Sequence, residues 1–230
     1  MGVSGLVLAA GGSRRLGEAK QLLPFRGRTL LDATLDTTRA CGFDELLVTL
    51  GGSAAAIRAT VDLSGVRVIE NVAFTTGCGS SISSVIPSIA PSSDRLVLLL
   101  GDQPGVRPAD VRRLAAVETP MGVCRYADGL GHPFLFHRDV FGELAHLHGD
   151  KAVWKLVHTG RYEVTEVHAE GTVPIDVDTR EDYERLLGQE RTFFPAPEPP
   201  GQERTFFLGP GGPGLERTFF PGPERQVGGE

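Results

Sequence analysis

The chain has 230 residues, of which 40% are hydrophobic and 23% are charged, and its formal net charge at pH 7 is -6. This length and composition predict one α/β domain with a sizeable core, and the negative charge argues against a broad nucleic-acid-binding surface. No hydrophobic run approaches the length of a membrane span, and the first residues predict a strand instead of a signal peptide. We therefore expect a cytoplasmic protein that binds neither nucleic acid nor a membrane.

The cysteines agree with this expectation. There are three, which is an odd number, and they lack the spacing of a metal site. We expect Cys41 and Cys124 to be reduced thiols that are buried or half-buried.

The first turn of the chain carries the strongest local signal. An apolar run over residues 6–10 predicts a buried strand, which ends at Gly11 and Gly12. Glycines let a backbone approach a ligand closely, and successive N–H groups in such a loop form an anion-binding concavity. Arg15 and Lys20 would add positive charge against a triphosphate. The spacing matches neither a P-loop nor GxGxxG, so a Gly-rich connection with two solvated basic residues is the alternative.

The complete string favours the nucleotide. Residues 8–20 resemble the LAAGxSxRxGxxK signature of the MobA/MocA-like nucleotidyltransferases, and residues 21–31 resemble its continuation. In that family the loop wraps the nucleotide, and the arginine and lysine contact its phosphates. The resemblance therefore implies catalytic roles for Arg15 and Lys20. It implies nucleotide binding by Ala9, Ala10, Gly11, Gly12 and Ser13.

Strands and helices alternate along the rest of the chain. Apolar runs predict strands at 45–50, 66–70, 96–100, 122–126, 131–136 and 164–168. Helical spacing and capping residues predict helices at 30–40, 54–60, 80–85, 109–116, 140–148, 153–159 and 179–187. This order predicts a mostly parallel sheet whose ligands bind beyond the carboxyl ends of its strands. The resemblance implies the Rossmann-like three-layer nucleotide-diphospho-sugar transferase fold.

A second Gly-rich segment covers residues 71–84. By composition alone it is a polar loop that enters a helix. In the family a similar segment helps to hold the base and the ribose, which implies nucleotide binding by Gly79, Ser80 and Ser81. Cys78 occupies a position where the family often has Met, so we expect it to pack or to line the site and not to act as a nucleophile.

A carboxylate follows the most apolar strand. Residues 96–100 predict a strand buried on both faces, and it ends in Gly101 and Asp102. Such an aspartate can cap a turn, but a triphosphate demands a cation, and Mg²⁺ prefers one or two carboxylates together with phosphates. The GDQP string, residues 101–104, resembles the MocA-type branch of the family, which implies Mg²⁺ on Asp102 and a catalytic role for that residue.

Two further carboxylates close the predicted domain. Asp176 and Asp178 alternate along an extended segment, so their side chains point the same way. The segment resembles the D/N-x-D/N-T-P-E-D-L ending of the family, with Arg180 in place of Pro, and this resemblance makes either aspartate a candidate for the second metal contact, with Asp178 favoured. Thr179 is predicted to cap the final helix.

Two residues are candidates for the acceptor substrate. A lone histidine is more often structural, and Lys151 could be an ordinary solvated residue beside Asp150, which could cap a helix. The resemblance of residues 131–136 to the GHP segment of the family implies that His132 lies beside the acceptor. A similar turn implies that Lys151 reaches the acceptor phosphate.

The composition changes at residue 189, so the predicted domains are 1–188 and a tail, 189–230. The tail is rich in Pro, Gly and Phe, and Glu-Arg-Thr-Phe-Phe recurs at 190, 203 and 216. Each copy offers little apolar surface to offset its ordering entropy, which predicts disorder. The family resemblance stops near Leu187. The repeats are either a neutral expansion or docking motifs for a partner protein, with avidity from three copies.

The predicted reaction follows from the resemblance to the MocA-type branch, the molybdenum cofactor cytidylyltransferases. It transfers CMP from CTP to molybdopterin and releases pyrophosphate, with Mg²⁺ as cofactor. The choice of CTP depends on Ala10 and on the GDQP string. Other enzymes of this fold act on sugar phosphates or methylerythritol phosphate, and an atypical relative is named nicotine blue oxidoreductase. A non-catalytic chaperone that binds molybdopterin is the remaining alternative.

Overall fold

A seven-stranded sheet forms the centre of the computed structural model, which describes residues 2–13 and 15–193, the last four by their backbone alone. In chain order the strands are β1 (Gly2–Ala9), β2 (Pro24–Phe25), β3 (Arg28–Thr29), β4 (Glu45–Leu50), β5 (Arg67–Glu70), β6 (Ser93–Leu100), β7 (Met121–Tyr126), β8 (Gly129–His137) and β9 (Val164–His168). The sheet order is β5-β4-β1-β6-β8-β7-β9, and β8 runs antiparallel to both of its neighbours. The prediction of a mostly parallel sheet is confirmed.

Helices cover both faces of the sheet. They are α1 (Leu30–Arg39), α2 (Ala54–Thr60), α3 (Cys78–Val85), α4 (Pro108–Ala115), α5 (Phe141–Leu144), α6 (Ala152–Val157) and α7 (Arg180–Phe193). Helices α1, α2 and α4 pack on the face that includes Val7, whereas α3, α5 and α6 pack on the face that includes Leu6. Since successive side chains of a strand point to opposite faces, an uninterrupted apolar run such as that of β1 is what a sheet between two helical layers requires.

The carboxyl ends of the parallel strands meet at one edge of the sheet. Leu8 of β1 lies opposite Leu100 of β6, so the first loop and the 101–107 loop leave the sheet side by side. The antiparallel β8 begins at this edge, because its Phe134 lies opposite Leu98 near the end of β6. This topology brings the predicted site residues to one edge of the sheet.

A small third core ties the end of the domain to its beginning. The antiparallel pair β2–β3, which was not predicted, turns at Arg26 and Gly27, both with positive φ. Helix α7 packs on this hairpin and on the start of α1 through Leu23, Phe25, Leu30, Val177, Tyr183 and Leu186. Helix α7 continues past Leu187, where its end was predicted. From residue 194 the tail lies outside the described residues, so its disorder and its docking role stay predictions.

The predicted helix 140–148 is wrong. Only Phe141–Leu144 is α-helical, and turns follow it. In a continued helix the carbonyl of Gly142 would accept from the N–H of residue 146. Here a ring nitrogen of His146 bonds that carbonyl at 2.7 Å, and the His146 N–H donates to Glu143 instead. Glycine inside the short helix lowers its propensity further.

The predicted burial of two cysteines is confirmed. Cys41 and Cys124 are buried, and burial raises the pKa of Cys41 to about 11 and that of Cys124 to about 12. Both are therefore unreactive thiols near neutral pH. Among residues 2–13 and 15–193, no helix is long and apolar enough to cross a membrane.

Candidate active site

Lys20 lies at the centre of a cluster of charged side chains at the sheet edge where the parallel strands end. Its ammonium donates to Asp102 Oδ2 at 2.5 Å and to Asp178 Oδ1 at 2.9 Å. The Lys20 side chain is only 15% exposed, and that of Asp102 only 9%. Burial alone would lower the pKa of Lys20, but the two carboxylates outweigh burial and raise it, so Lys20 is a cation.

The Gly-rich loop wraps back onto Lys20. The Ser13 hydroxyl accepts from the Lys20 N–H at 2.9 Å, and the Ser13 carbonyl accepts from the N–H groups of Leu16 and Gly17. Ser13 has a φ of 46°, a left-handed conformation that is uncommon for a residue other than glycine. Arg15 is largely exposed, and its guanidinium lies 3.9 Å from Asp178. The loop therefore presents Lys20 and Arg15 beside the same carboxylate.

Gln21 fixes the start of this loop, which the sequence alone did not indicate. Its side chain is buried, and Nε2 donates to the carbonyls of Ala9 at 2.8 Å and Gly11 at 3.1 Å. The amide thus joins the end of β1 to the loop that follows it. A buried glutamine that follows Lys20 in the chain leaves no periodic signature, so only the tertiary structure reveals its role.

Asn71 organises the second Gly-rich segment. Its Nδ2 donates to the hydroxyls of Ser80 at 2.9 Å and Ser81 at 3.0 Å, and its Oδ1 accepts from the Ala73 N–H. Ser81 is buried, so its hydroxyl is committed to Asn71, whereas Ser80 is only partly buried. The structure thus places Ser80 at the loop surface and Ser81 behind it.

The 77–80 segment packs directly against the 148–150 turn. The N–H of Gly79 donates to the Gly149 carbonyl at 3.0 Å, and Asp150 accepts from the N–H of Cys78. A Cβ added to Gly79 would lie 2.7 Å from the backbone nitrogen of His148, so only glycine fits there. Two segments that were predicted separately, one for the nucleotide and one for the acceptor, form a single unit.

Replacing Gly79 by Ala is expected to separate these two segments. The added methyl group meets backbone, which cannot turn away as a side chain could, so we expect a loss of about 1–3 kcal/mol in the free energy of unfolding. Denaturant unfolding measures it. Gly142→Ala is the matched control, because a Cβ there meets nothing within 4 Å. Equal stabilities for the two variants would contradict the close contact.

The two acceptor candidates lie at the same edge in different settings. Lys151 is exposed at the start of α6 in a left-handed conformation, with φ 56°. His132 is partly buried, its ring packs edge-on against Phe134 with centroids 4.8 Å apart, and its carbonyl accepts from the Tyr126 hydroxyl. Burial lowers the pKa of His132 to about 4, so the ring is neutral at pH 7. Cys78 is exposed, so it does not pack in the core, and its expected role in lining the site stays a prediction.

We expect His132 to make the stability of the protein depend on pH. Since its pKa lies near 4 in the folded chain and near 6.5 when unfolded, its contribution is complete above pH 6.5 and is lost as the pH falls towards 4. We expect this residue to remove about 1 kcal/mol per pH unit in that interval. Urea unfolding at pH 7 and pH 5 measures the loss. A His132→Gln variant with the same pH dependence as wild type would contradict this assignment.

The remaining predicted carboxylate, Asp176, lies beside the cluster formed by Lys20, Asp102 and Asp178. Gln103 Nε2 donates to Asp176 Oδ1 at 2.6 Å and to the Pro174 carbonyl at 3.0 Å. Burial raises the pKa of Asp176 to about 6, with a further contribution from the Asp102 carboxylate. The cluster therefore carries more negative charge than Lys20 alone balances.

The chemistry of this donor set suits a hard divalent cation. Among the described residues no three His, Cys, Asp or Glu side chains form a ready-made metal cage. Asp102 and Asp178 nevertheless face each other across the Lys20 ammonium. Two carboxylates completed by substrate phosphates are what Mg²⁺ prefers, so these residues fit a metal that binds together with a nucleotide.

Comparison with known proteins places this geometry in a family. The model of the MobA-like NTP transferase domain matches residues 5–166, which include Lys20, Asp102, His132 and Lys151. The chain belongs to this family. The recognition made from the first loop is confirmed, although the match ends before Asp176 and Asp178.

Solved structures extend the likeness over the whole MobA-like domain. Rv0371c from Mycobacterium tuberculosis is 53% identical with a TM-score of 0.78, over 82% of this chain and 98% of that protein. A second structure of Rv0371c, 52% identical with a TM-score of 0.75 over 82% of this chain and 99% of that one, is a complex with manganese. A nucleotidyl transferase from Methanothermobacter, 24% identical over 84% of this chain and 99% of its own, shares the fold with a TM-score of 0.69. The predicted Rossmann-like nucleotidyltransferase fold is confirmed.

A relative with a different name matches part of the chain. Nicotine blue oxidoreductase from Paenarthrobacter nicotinovorans is 36% identical over 119 residues, or 51% of this chain. The match spans 58% of that relative's length. Membership of the MobA-like family therefore does not by itself assign a substrate.

Proposed function

We propose that this MobA-like domain is a nucleotidyltransferase that transfers CMP from CTP to the terminal phosphate of molybdopterin and releases pyrophosphate. The observation that carries the proposal is the Lys20 ammonium, which lies between Asp102 and Asp178 beneath a Gly-rich loop. A cation flanked by carboxylates at the end of parallel strands suits a triphosphate that brings its own metal.

The reaction is an exchange of one phosphoanhydride bond for another. An oxygen of the acceptor phosphate attacks the α-phosphorus of CTP, the bond from that phosphorus to the β-phosphate oxygen breaks, and pyrophosphate leaves with the electron pair. An acceptor dianion needs no general base. Lys20, Arg15 and the N–H groups of the loop balance the charge that develops on the phosphates, so the chain acts through positioning and electrostatics.

Asp102 and Asp178 would hold a divalent metal, with Asp176 adjacent to them. The bound ion would neutralise phosphate charge and orient the two reacting phosphates. Support comes from the oxygen donors of the cluster and from the manganese complex of Rv0371c. We take Mg²⁺ as the working cofactor, and Lys20 must then exchange its carboxylate partners for phosphate.

The choice of base and acceptor rests on the family resemblance. Ala10 and the GDQP string favour CTP. The contact between residues 77–80 and 148–150 would place Ser80 beside the nucleotide and the neighbouring Lys151 beside the acceptor. His132, neutral and partly buried, would contact the acceptor as a hydrogen-bonding group and not as a cation.

Pyrophosphate release tests the proposal. The full chain is assayed with each of the four NTPs and Mg²⁺ or Mn²⁺, with molybdopterin, its molybdenum-loaded form, a sugar phosphate or methylerythritol phosphate as acceptor. Release with CTP and a molybdopterin acceptor alone is the expected result. Release with another NTP or acceptor would overturn that part of the assignment. The absence of pyrophosphate release despite tight molybdopterin binding would indicate the non-catalytic chaperone. The absence of both release and binding would exclude molybdopterin as the ligand.

A further inference from the structure

Gln103 has a buried side chain that donates hydrogen bonds to residues more than 70 positions later in the chain. It directly follows Asp102, is 2% exposed, and is 73 residues away in the chain from Asp176, to which it donates. A carboxamide has two N–H donors, and here both are used, one by Asp176 and one by the Pro174 carbonyl. Its oxygen has no hydrogen-bond partner among the described residues. The two donated bonds therefore define the orientation of this side chain.

The segment that accepts these bonds is anchored from the other side as well. Val177 is fully buried and belongs to the small core that contains Phe25 and Tyr183. Because side chains alternate along an extended segment, an inward Val177 leaves Asp176 and Asp178 on the same outer side. Gln103 then binds the first carboxylate, and Lys20 binds the second at 2.9 Å.

We infer that Gln103 and Asp176 form a positioning pair that sets Asp178 beside Asp102. This inference rests on the proposed function, because it takes Asp102 and Asp178 as the metal site. It also assigns a physical role to the glutamine of the GDQP string. With both N–H donors committed and its oxygen buried, Gln103 has no donor left to recognise a nucleotide base.

The test is the affinity of the full chain for Mn²⁺, measured by the loss of the free Mn²⁺ EPR signal at a saturating concentration of a non-hydrolysable CTP analogue. Gln103→Met keeps the volume and removes both donors. We expect it to weaken Mn²⁺ binding about tenfold or more, as is usual when a group that orients a metal ligand is lost. A purely structural role would lower the Tm and leave the affinity of the folded chain unchanged.

Matched variants separate positioning from ligation. Asp176→Asn keeps an oxygen that accepts from Gln103, so Mn²⁺ affinity should stay near wild type, whereas Asp178→Asn should lose most of it. Asp176→Leu removes the same bond from its other end and should behave like Gln103→Met, which keeps the inference testable if that variant does not fold. Thr38→Val removes a buried hydroxyl that donates to the Leu35 carbonyl within α1, and it should leave the Mn²⁺ affinity at saturating analogue unchanged.

Two results would overturn the inference alone. One is wild-type Mn²⁺ affinity in folded Gln103→Met and Asp176→Leu, and the other is an Asp176→Asn variant that binds Mn²⁺ as weakly as Asp178→Asn. A wild-type chain that binds no Mn²⁺ with the analogue would instead overturn the proposed metal site and this inference together.

Discussion

Replacing Asp102 by Asn is expected to lower kcat for pyrophosphate release about 10²- to 10³-fold, the usual cost of removing one preorganised charged group from a transition state. Asparagine preserves the shape of the side chain but removes the charge that pairs with Lys20 at 2.5 Å and that would hold the metal. Because Lys20 keeps Asp178 as a partner, the fold should persist. Steady-state kinetics at saturating CTP and Mg²⁺, with near-UV circular dichroism, measure both effects.

Asp94 offers the control for this variant. It lies on the same strand, β6, at the end opposite to the candidate site. Asp94→Asn should therefore leave kcat unchanged. Near-wild-type turnover in Asp102→Asn would remove the mechanism proposed for this protein, because no other described carboxylate combines that burial with contact to Lys20.

Replacing Lys20 by Met is expected to affect both turnover and stability. The phosphates lose their central cation, so we expect kcat to fall at least about 10²-fold. The Asp102 carboxylate, buried and 2.5 Å from the ammonium in the wild type, would lose its counter-charge while Asp178 and Asp176 remain nearby. Leaving one member of a buried ion pair uncompensated costs about 3 kcal/mol or more. Denaturant unfolding and pyrophosphate release measure the two effects.

The order of stabilities makes this prediction specific. Lys20→Met should be less stable than Asp102→Asn, because one cation faces several carboxylates and its loss is not compensated. Lys155→Met provides the control, since Lys155 is an exposed lysine on α6 and its replacement should change neither quantity. If Lys20→Met were as stable as wild type, the Lys20 ammonium would not be compensating the charge of these carboxylates.

Much of the fold followed from local patterns. The apolar runs of β1 and β6 predicted buried strands, and the alternation of strands and helices predicted a mostly parallel sheet. The errors arose where local geometry was decided by side chains, as at His146, whose ring takes the carbonyl that would have continued helix α5. The β2–β3 hairpin was missed because two-residue strands have no measurable period.

The residues of the candidate site likewise fall into those that the sequence indicated and those that only the tertiary structure revealed. The sequence by itself determined the Gly-rich loop, its two basic residues, the carboxylate after β6 and membership of the MobA-like family, because these are short strings whose chemistry is local. Only the tertiary structure brought Lys20 to Asp178 across 158 residues, and the 77–80 segment to the 148–150 turn. It alone revealed the amides of Gln21, Asn71 and Gln103. A hydrogen bond from a buried amide depends on which distant backbone packs beside it, and no local pattern in the chain encodes that neighbour.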